Sequence, residues 1–209
     1  MNTLEQHSQI YLDTAAAFVD QVSRIPVSMY EQPALGVWNV RHLIAHTGRS
    51  MQTVLEYLTR PAERIDLSTA SEYYHAIRQA ASADGVAQRA VEAAEGLRDG
   101  AAGTMADLLA RVSEALDAVQ ADDPDQSRII TTIAGGMRIC TYLHTRILEL
   151  TVHTLDLAAA TGVPIDLPAD ALRITLQIES EVAVLDGRGG ELALALAGRA
   201  PLDPAFSIF

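Results

Sequence analysis

Apolar residues recur every three or four positions along most of this chain, which is the period of amphipathic helices. The pattern predicts a first helix over about residues 3–24. A second is predicted over about residues 40–58, after Asn39, a residue that is common at helix N-caps. Residues 26–36 contain proline and glycine and are expected to form a loop. The first sixty residues therefore predict two helices and one connection.

The middle of the chain has a less regular pattern. A helical stretch is expected to start at Ser71, to be interrupted at residues 84–85, and to resume over residues 86–97. Leucines and valines spaced by three or four then predict a further amphipathic helix around residues 108–119.

The last eighty residues contain the longest helical pattern. A β-branched run at residues 129–133, followed by two glycines, fits a short strand or hairpin. A helix is predicted over about residues 138–161, with Gly162 in position to end it. Residues 191–198 fit either a short helix or a strand. Another helix is predicted over about residues 168–185, and it carries Leu172, Leu176, Ile178, Val182 and Leu185.

Four principal helices with short connections predict an all-α fold, a four-helix bundle with a short C-terminal extension. A length of 209 residues suits one well-filled core, and no repeat or long linker divides the chain. A single domain over residues 1–209 is therefore expected. The interior of such a bundle is a place where facing helices assemble metal sites.

The formal net charge of −12, from 27 acidic and 15 basic residues, argues against nucleic acid as a partner. Every basic residue is arginine, a bias associated with GC-rich genomes. The single cysteine, Cys140, cannot form an internal disulfide. No apolar run approaches the roughly 18 residues of a membrane span, and the N-terminus lacks the pattern of a signal peptide. We therefore expect a cytoplasmic protein with no membrane partner.

The most informative motif is a carboxylate and an imidazole four residues apart, Glu149 and His153. This spacing places both on one helix face, with Cβ atoms roughly 5–6 Å apart, so they can bind one metal ion. The alternative is a face exposed to water, because this spacing is common by chance. A buried carboxylate would instead need a cation. The neighbours that favour a central, buried helix are apolar: Leu148, Leu150, Val152, Leu155 and Leu157.

A third metal ligand is available far upstream, where His42 and His46 form another pair four residues apart. His46 is preferred because it lies beyond the first helical turn and follows an apolar pair. His42 lies near the helix start, where partial exposure is expected. Taken alone, His46 would more often be a core histidine with one hydrogen bond. The metal-site hypothesis for His46, Glu149 and His153 therefore requires the two helices to pack side by side.

Three protein ligands leave an open coordination position, which is typical of reactive metal sites and not of structural ones. A thiol bound there would be deprotonated at neutral pH and could act as a nucleophile. Arg146, one turn before Glu149, is a candidate for binding a substrate carboxylate. A salt bridge from Arg146 to Glu149 or Asp156 is an equally good interpretation.

Three segments together resemble the mycothiol-dependent maleylpyruvate isomerase family of the DinB-like superfamily. They are residues 38–46 (WNVRHLIAH), 146–157 (RILELTVHTLDL) and 194–201 (LALAGRAP), and the first two in this order are fairly specific. The resemblance implies a DinB-like four-helix bundle that holds a divalent metal, usually zinc, at His46, Glu149 and His153. It also implies mycothiol, the thiol of actinobacteria, as the cosubstrate.

Two features depart from the family pattern. Family members commonly have an acidic residue at the position of His42. The isomerase proper also carries a C-terminal domain that resembles sterol-carrier proteins, for which the roughly 25 residues after Leu185 are too few. A related thiol reaction is therefore expected here in preference to the isomerisation of maleylpyruvate.

The leading hypothesis is a metal-dependent thiol S-transferase or isomerase-like enzyme that acts on a small electrophile. One alternative is a non-catalytic metal-binding bundle that serves as a binding or dimerisation module. Another is a hydrolase that activates water at the metal, which would turn over without thiol. The identity of the electrophile and the formation of a homodimer are left open by the sequence.

Overall fold

The computed structural model describes residues 4–80, 94, 96–97, 100–123 and 128–208. The interruption expected at residues 84–85 and most of the stretch 86–97 lie outside these residues. The described chain is mainly helical, as predicted, and none of its helices is long and apolar enough to cross a bilayer. The helices are α1 (Leu4–Arg24), α2 (Val40–Leu58), α3 (Ala70–Ala80), α4 (Ala101–Asp122), α5 (Ile139–Thr161), α6 (Ala169–Leu185) and α7 (Gly189–Leu196).

Helices α1, α2, α4 and α5 form the four-helix bundle, in which α1 and α2 each pack against both α4 and α5. Helix α6 covers α5 and α3, and α7 packs against α6, so these two helices make the C-terminal extension. The sequence of residues 191–198 fits either a helix or a strand, and in the structure residues 191–196 are helical and belong to α7. The largest fully buried side chains of the core include Tyr11, Phe18, Leu43, Ile44, Met51, Leu116 and Tyr142.

The helix ends follow the local signals in the sequence. Asn39 is the N-cap of α2, and its side chain accepts a hydrogen bond from the His42 N–H at 2.9 Å. Gly162 ends α5 with a φ of 71°, a left-handed conformation that glycine adopts without steric cost. The ends predicted for α1, α2, α5 and α6 agree with the structure to within one residue.

The prediction of a plain loop over residues 26–36 is wrong. The segment contains a 3₁₀ turn, Val27–Met29, and strand β1 (Pro33–Leu35), which pairs with strand β2 (Trp38–Asn39). Strands this short have no periodic pattern of their own, because their pairing depends on the chain folding back at Gly36. The strand pair holds the start of α2 in place.

The hairpin expected near residues 129–133 is present, as antiparallel strands β3 (Ile129–Thr132) and β4 (Gly135–Arg138). It packs against the segment that follows α2, and Gly136 donates a hydrogen bond to Asp66 at 2.8 Å. A Cβ atom at Gly136 would lie 2.1 Å from the Arg64 carbonyl oxygen, so only glycine fits this position. The hairpin tip is thereby fixed beside the end of α2.

One expectation about burial needs correction. Leu155 in α5 is 45% exposed, although Leu148, Leu150 and Leu157 are buried. Successive helical residues point about 100° apart, so a buried stretch of α5 still has an outward position. For the same reason α6 buries Ile178 and Val182 and leaves three of its leucines exposed, Leu172, Leu176 and Leu185.

Candidate metal centre

Helices α2 and α5 pack side by side and bring His46 together with Glu149 and His153. Each of the three residues offers one ligand atom, and these atoms all lie within 4.8 Å of one another. Nε2 of His153 is 3.3 Å from Oε2 of Glu149 on the preceding turn. No other group of three histidine, cysteine or acidic side chains meets this criterion in the part of the chain that the structure describes.

The imidazole of His46 lies between two aromatic rings. Its centroid is 4.5 Å from that of Trp38 and 4.9 Å from that of His153. Trp38 is partly buried and packs against the core and against the His46 ring. Nδ1 of His46 is buried and has no hydrogen-bond partner among the described residues. A buried ring nitrogen without a partner is costly, and coordination of an ion by that nitrogen would remove this cost.

The protonation of the three residues follows from their surroundings. Burial lowers the pKa of His46 to about 4, aided by the charge of His153, so this imidazole is neutral at pH 7. Burial raises the pKa of Glu149, but the hydrogen bond with His153 and the charge of Arg146 outweigh it and lower this pKa to about 2. For His153, burial lowers the pKa, and its hydrogen bonds with Asp156 and Glu149 raise it to about 9.

Two further side chains orient the candidate ligands. Nδ1 of His153 is 3.1 Å from Oδ2 of Asp156, an arrangement that fixes the ring so that Nε2 faces Glu149. The Tyr74 hydroxyl on α3 lies 3.0 Å from Oε1 of Glu149 and 2.8 Å from the Thr145 carbonyl oxygen. Glu149 therefore has one oxygen held by a tyrosine and the other directed at the histidine.

His42 is not part of this cluster. Its Nδ1 accepts a hydrogen bond from the Asn39 N–H at 3.5 Å, while the Asn39 side chain accepts from the His42 N–H. This reciprocal arrangement is a capping box, in which Glu or Gln usually occupies the position of His42. An acidic residue here, as expected from the resemblance, would accept the same hydrogen bond. His42 therefore helps to cap the first turn of α2.

Arg146 is 8% exposed and lies beside the ligand cluster. Its Nη2 is 4.0 Å from Oε1 of Glu149, which is the outer limit of an ion pair. Its Nε donates a hydrogen bond to Oγ1 of Thr145 at 3.0 Å, and its Cζ lies 5.0 Å from the centre of the Tyr142 ring. The guanidinium is therefore held by neutral groups and by one distant carboxylate, and it remains able to bind an anion.

A cavity of about 250 Å³ opens at this cluster and is lined by His46, Glu149 and Arg146 together with three tyrosines. Its volume is below the roughly 300–1,000 Å³ of pockets for drug-sized ligands, which indicates a small ligand. Two imidazole nitrogens and one carboxylate oxygen are donors that zinc accepts, and three protein ligands beside an open cavity are the arrangement of a reactive site. The donor set therefore fits a divalent ion with one accessible position.

Sequence reasoning missed Tyr74 because this residue is 75 positions away from Glu149 and belongs to a helix without other chemical signals. Asp156 was noted only as an alternative partner of Arg146. Its spacing of three residues from His153 on one helix could have identified it as a partner of that imidazole.

Comparisons with known proteins agree with the fold. A family model described as the mycothiol maleylpyruvate isomerase N-terminal domain matches residues 29–158, more than half of the chain. The crystal structure of the mycothiol-dependent maleylpyruvate isomerase matches with a TM-score of 0.55 and 17% sequence identity, over 87% of this chain and 70% of that chain. A search of curated proteins finds no match. The chain belongs to the mycothiol maleylpyruvate isomerase N-terminal domain family.

Proposed function

We propose that this protein is a metal-dependent enzyme that transfers or adds a low-molecular-weight thiol to a small electrophile, in the manner of an S-transferase or thiol-dependent isomerase. The observation that supports this proposal most directly is the convergence of His46, Glu149 and His153, whose ligand atoms lie within 4.8 Å of one another, beside a cavity that His46 and Glu149 line. An open cavity beside three ligands gives substrates access to the ion.

We assign the metal-holding role to His46, Glu149 and His153 and propose zinc as the ion, because this donor set matches its preferences. When bound, such an ion acts as a Lewis acid that lowers the pKa of a coordinated thiol. The family model and the solved relative both carry mycothiol in their descriptions, and we propose mycothiol as the thiol used by this chain.

The residues of the chain have separate roles in this proposal. Tyr74 and Asp156 hold Glu149 and His153 in orientation. Arg146 binds the anionic group of the electrophile and so positions its reactive carbon beside the thiol. In an addition, the sulfur forms a bond to that carbon, the carbon–carbon double bond of the electrophile becomes a single bond, and the neighbouring carbon takes up a proton in place of the one the thiol has lost. In a transfer, the same bond forms as a leaving group departs with its bonding electron pair.

The remaining features of the proposal concern the whole chain. We propose one domain over residues 1–209, since the four bundle helices share a core and α6 and α7 pack onto it. We propose a cytoplasmic location, which suits the free cysteine Cys140 and thiol chemistry. A homodimer is the assembly we propose, with Leu176 and Leu196 among the exposed apolar residues available to it.

The test combines metal analysis with a thiol-conjugation assay. Wild-type protein, H46A and the matched control H42A are analysed for bound metal and assayed on a generic electrophile with mycothiol, glutathione and bacillithiol. We expect about one zinc per chain and a metal-dependent rate with mycothiol for wild type and H42A. H46A should retain its helical circular dichroism and lose both metal and rate.

Three results would contradict the proposal. Metal retained in H46A would remove His46 from the ligand set. Bound metal without any thiol-dependent rate would favour the non-catalytic binding module. Turnover without added thiol would favour a hydrolase.

A further inference from the structure

The walls of the cavity change in character between its buried part and its mouth. Arg146 and Tyr142 are buried lining residues, with exposed fractions of 8% and 0%. The rings of Tyr57 and Tyr73 form further walls together with the aliphatic residues Ile77 and Ile133, and Ser50 and Thr53 add two small polar side chains. Ile133 is 68% exposed because it stands at the tip of the β3–β4 hairpin.

Two side chains in the buried part of the cavity, Tyr142 and Arg146, have hydrogen-bond donors that are not fully paired. The Tyr142 hydroxyl is buried and makes no hydrogen bond of ordinary geometry to a described residue, and the Thr53 side chain is the polar group beside it. The Arg146 guanidinium stacks near the Tyr142 ring, at 5.0 Å from its centre, and its nearest carboxylate is Glu149 at 4.0 Å. If Glu149 is committed to an ion, Arg146 has no close anionic partner in the described lining. A planar carboxylate would satisfy both the guanidinium and the hydroxyl.

The charge of the lining favours the same ligand. Arg49 and Arg146 are the cationic side chains that line the cavity, and Glu149 is the one acidic residue among the described lining residues. A divalent ion at Glu149 would make this lining strongly positive, so an anion is preferred over a neutral or cationic ligand.

The tyrosine and isoleucine walls offer no further charge and favour an apolar, flat group. Aromatic rings stack or pack edge to face on such walls, and the burial of apolar groups there favours binding. The cavity volume of about 250 Å³ limits this group to the size of a single ring or a short unsaturated chain.

We infer that the electrophile of this enzyme is a small aromatic or unsaturated monocarboxylate, whose carboxylate binds Arg146 and the Tyr142 hydroxyl and whose apolar body lies between the tyrosines and the isoleucine at the hairpin tip. This inference rests on the proposed function for the identity of the reaction. Binding of the carboxylate itself requires no thiol, so the two can be tested separately.

The test is calorimetric titration of the wild-type protein, with and without added zinc, using three non-reacting probes. Benzoate carries the carboxylate and the ring, benzamide is its neutral isostere, and maleate is a dicarboxylate without a ring. We expect benzoate to bind at least about ten-fold more tightly than either of the others, equivalent to about 1.4 kcal/mol. Equal affinity for benzamide, or tighter binding of maleate, would overturn the inference.

Two variants test the contacts that we propose for the carboxylate. R146M keeps an apolar stem and should abolish the preference for benzoate over benzamide, whereas Y142F should weaken benzoate several-fold and leave benzamide unchanged. A preference that survives in R146M would place the carboxylate on the ion and overturn the assignment. The wild-type probe comparison does not depend on how these variants fold.

Ile133 is tested in the same way. I133S should weaken benzoate several-fold and leave acetate unaffected, while the control L194S, an exposed position on α7 that does not line the cavity, should match wild type. An unchanged benzoate affinity in I133S would remove the hairpin tip from the subsite. If benzoate binds as described and no thiol transfer is found, the subsite stands and the proposed function fails.

Discussion

The two carboxylate oxygens of Glu149 have different partners. Its Oε1 lies 3.0 Å from the Tyr74 hydroxyl, and its Oε2 lies 3.3 Å from Nε2 of His153. The same hydroxyl also donates towards the Thr145 carbonyl oxygen at 2.8 Å, so its one proton is shared between the two acceptors. Because one oxygen is held by the tyrosine, the other keeps a defined direction towards His153, as a metal ligand would require.

The hydrogen bond from Tyr74 to Glu149 is tested by Y74F, which removes the hydroxyl and keeps the buried ring. We expect zinc affinity to fall about ten-fold, the lower end of the range for loss of an orienting partner, because Glu149 regains rotational freedom. Competition with a chromophoric chelator measures this change. Y73F is the matched control, since Tyr73 belongs to the same helix and packs against Tyr74 with ring centroids 5.5 Å apart. Wild-type affinity in Y74F would contradict the prediction, and equal losses in both variants would indicate general loosening of α3.

At the residue scale, the sequence predicts what local spacing controls. Glu149 and His153 share a face because they are four residues apart on one helix. The choice of His46 over His42 came from its distance from the helix start, and the structure brings His46 to the other two residues. Tyr74 could not be predicted, because its contact with Glu149 depends on how α3 packs against α5.

At the scale of elements, the signals that end helices are the most predictable. Asn39 and Gly162 mark helix ends in the sequence and occupy those positions in the structure. The β3–β4 hairpin was recognisable from its β-branched run and glycines, whereas its docking on the segment after α2 was not. That docking matters for the site because the hairpin tip, Ile133, reaches the cavity.

The hairpin docks on the segment after α2 through a close approach at Gly136, and G136A is expected to disturb that contact. The added Cβ would approach the Arg64 carbonyl oxygen to 2.1 Å, so the backbone must shift and strain the hydrogen bond from Gly136 to Asp66. We expect a loss of about 2 kcal/mol or more in the free energy of unfolding, measured by urea denaturation. G190A is the control, because a Cβ there meets nothing within 4 Å. Equal stability of the two variants would show that the approach at Gly136 relaxes without cost.

At the scale of the whole molecule, the class and the helix count of the bundle follow from the sequence, but the pairing of helices does not. Amphipathic faces predict that α1, α2, α4 and α5 bury one side each. They do not specify that α2 packs beside α5, on which the whole ligand cluster depends. Contacts between residues more than a hundred positions apart determine that arrangement. The contribution of individual polar contacts among them to stability can be tested.

One such contact joins His7 on α1 to His144 on α5. Nδ1 of His7 is 2.6 Å from Nε2 of His144, a distance at which the two nitrogens share one proton. Burial lowers the pKa of His144 to about 4, and the proximity of His7 acts in the same direction, while Glu181 on α6 opposes them. A second proton would therefore place like charges on two packed helices.

The consequence is a stability that depends on pH. The pKa of His144 in the folded chain lies below the unperturbed value of 6.5, so the unfolded chain takes up the extra proton first as the pH falls. This contribution is fully present above about pH 6.5 and declines towards about pH 4, by up to about 3 kcal/mol. H144Q removes the titrating group, so its stability should fall less steeply than that of wild type. Denaturation of both proteins in chelator between about pH 7.5 and about pH 4.5 measures the difference, and parallel curves would exclude His144 as the cause.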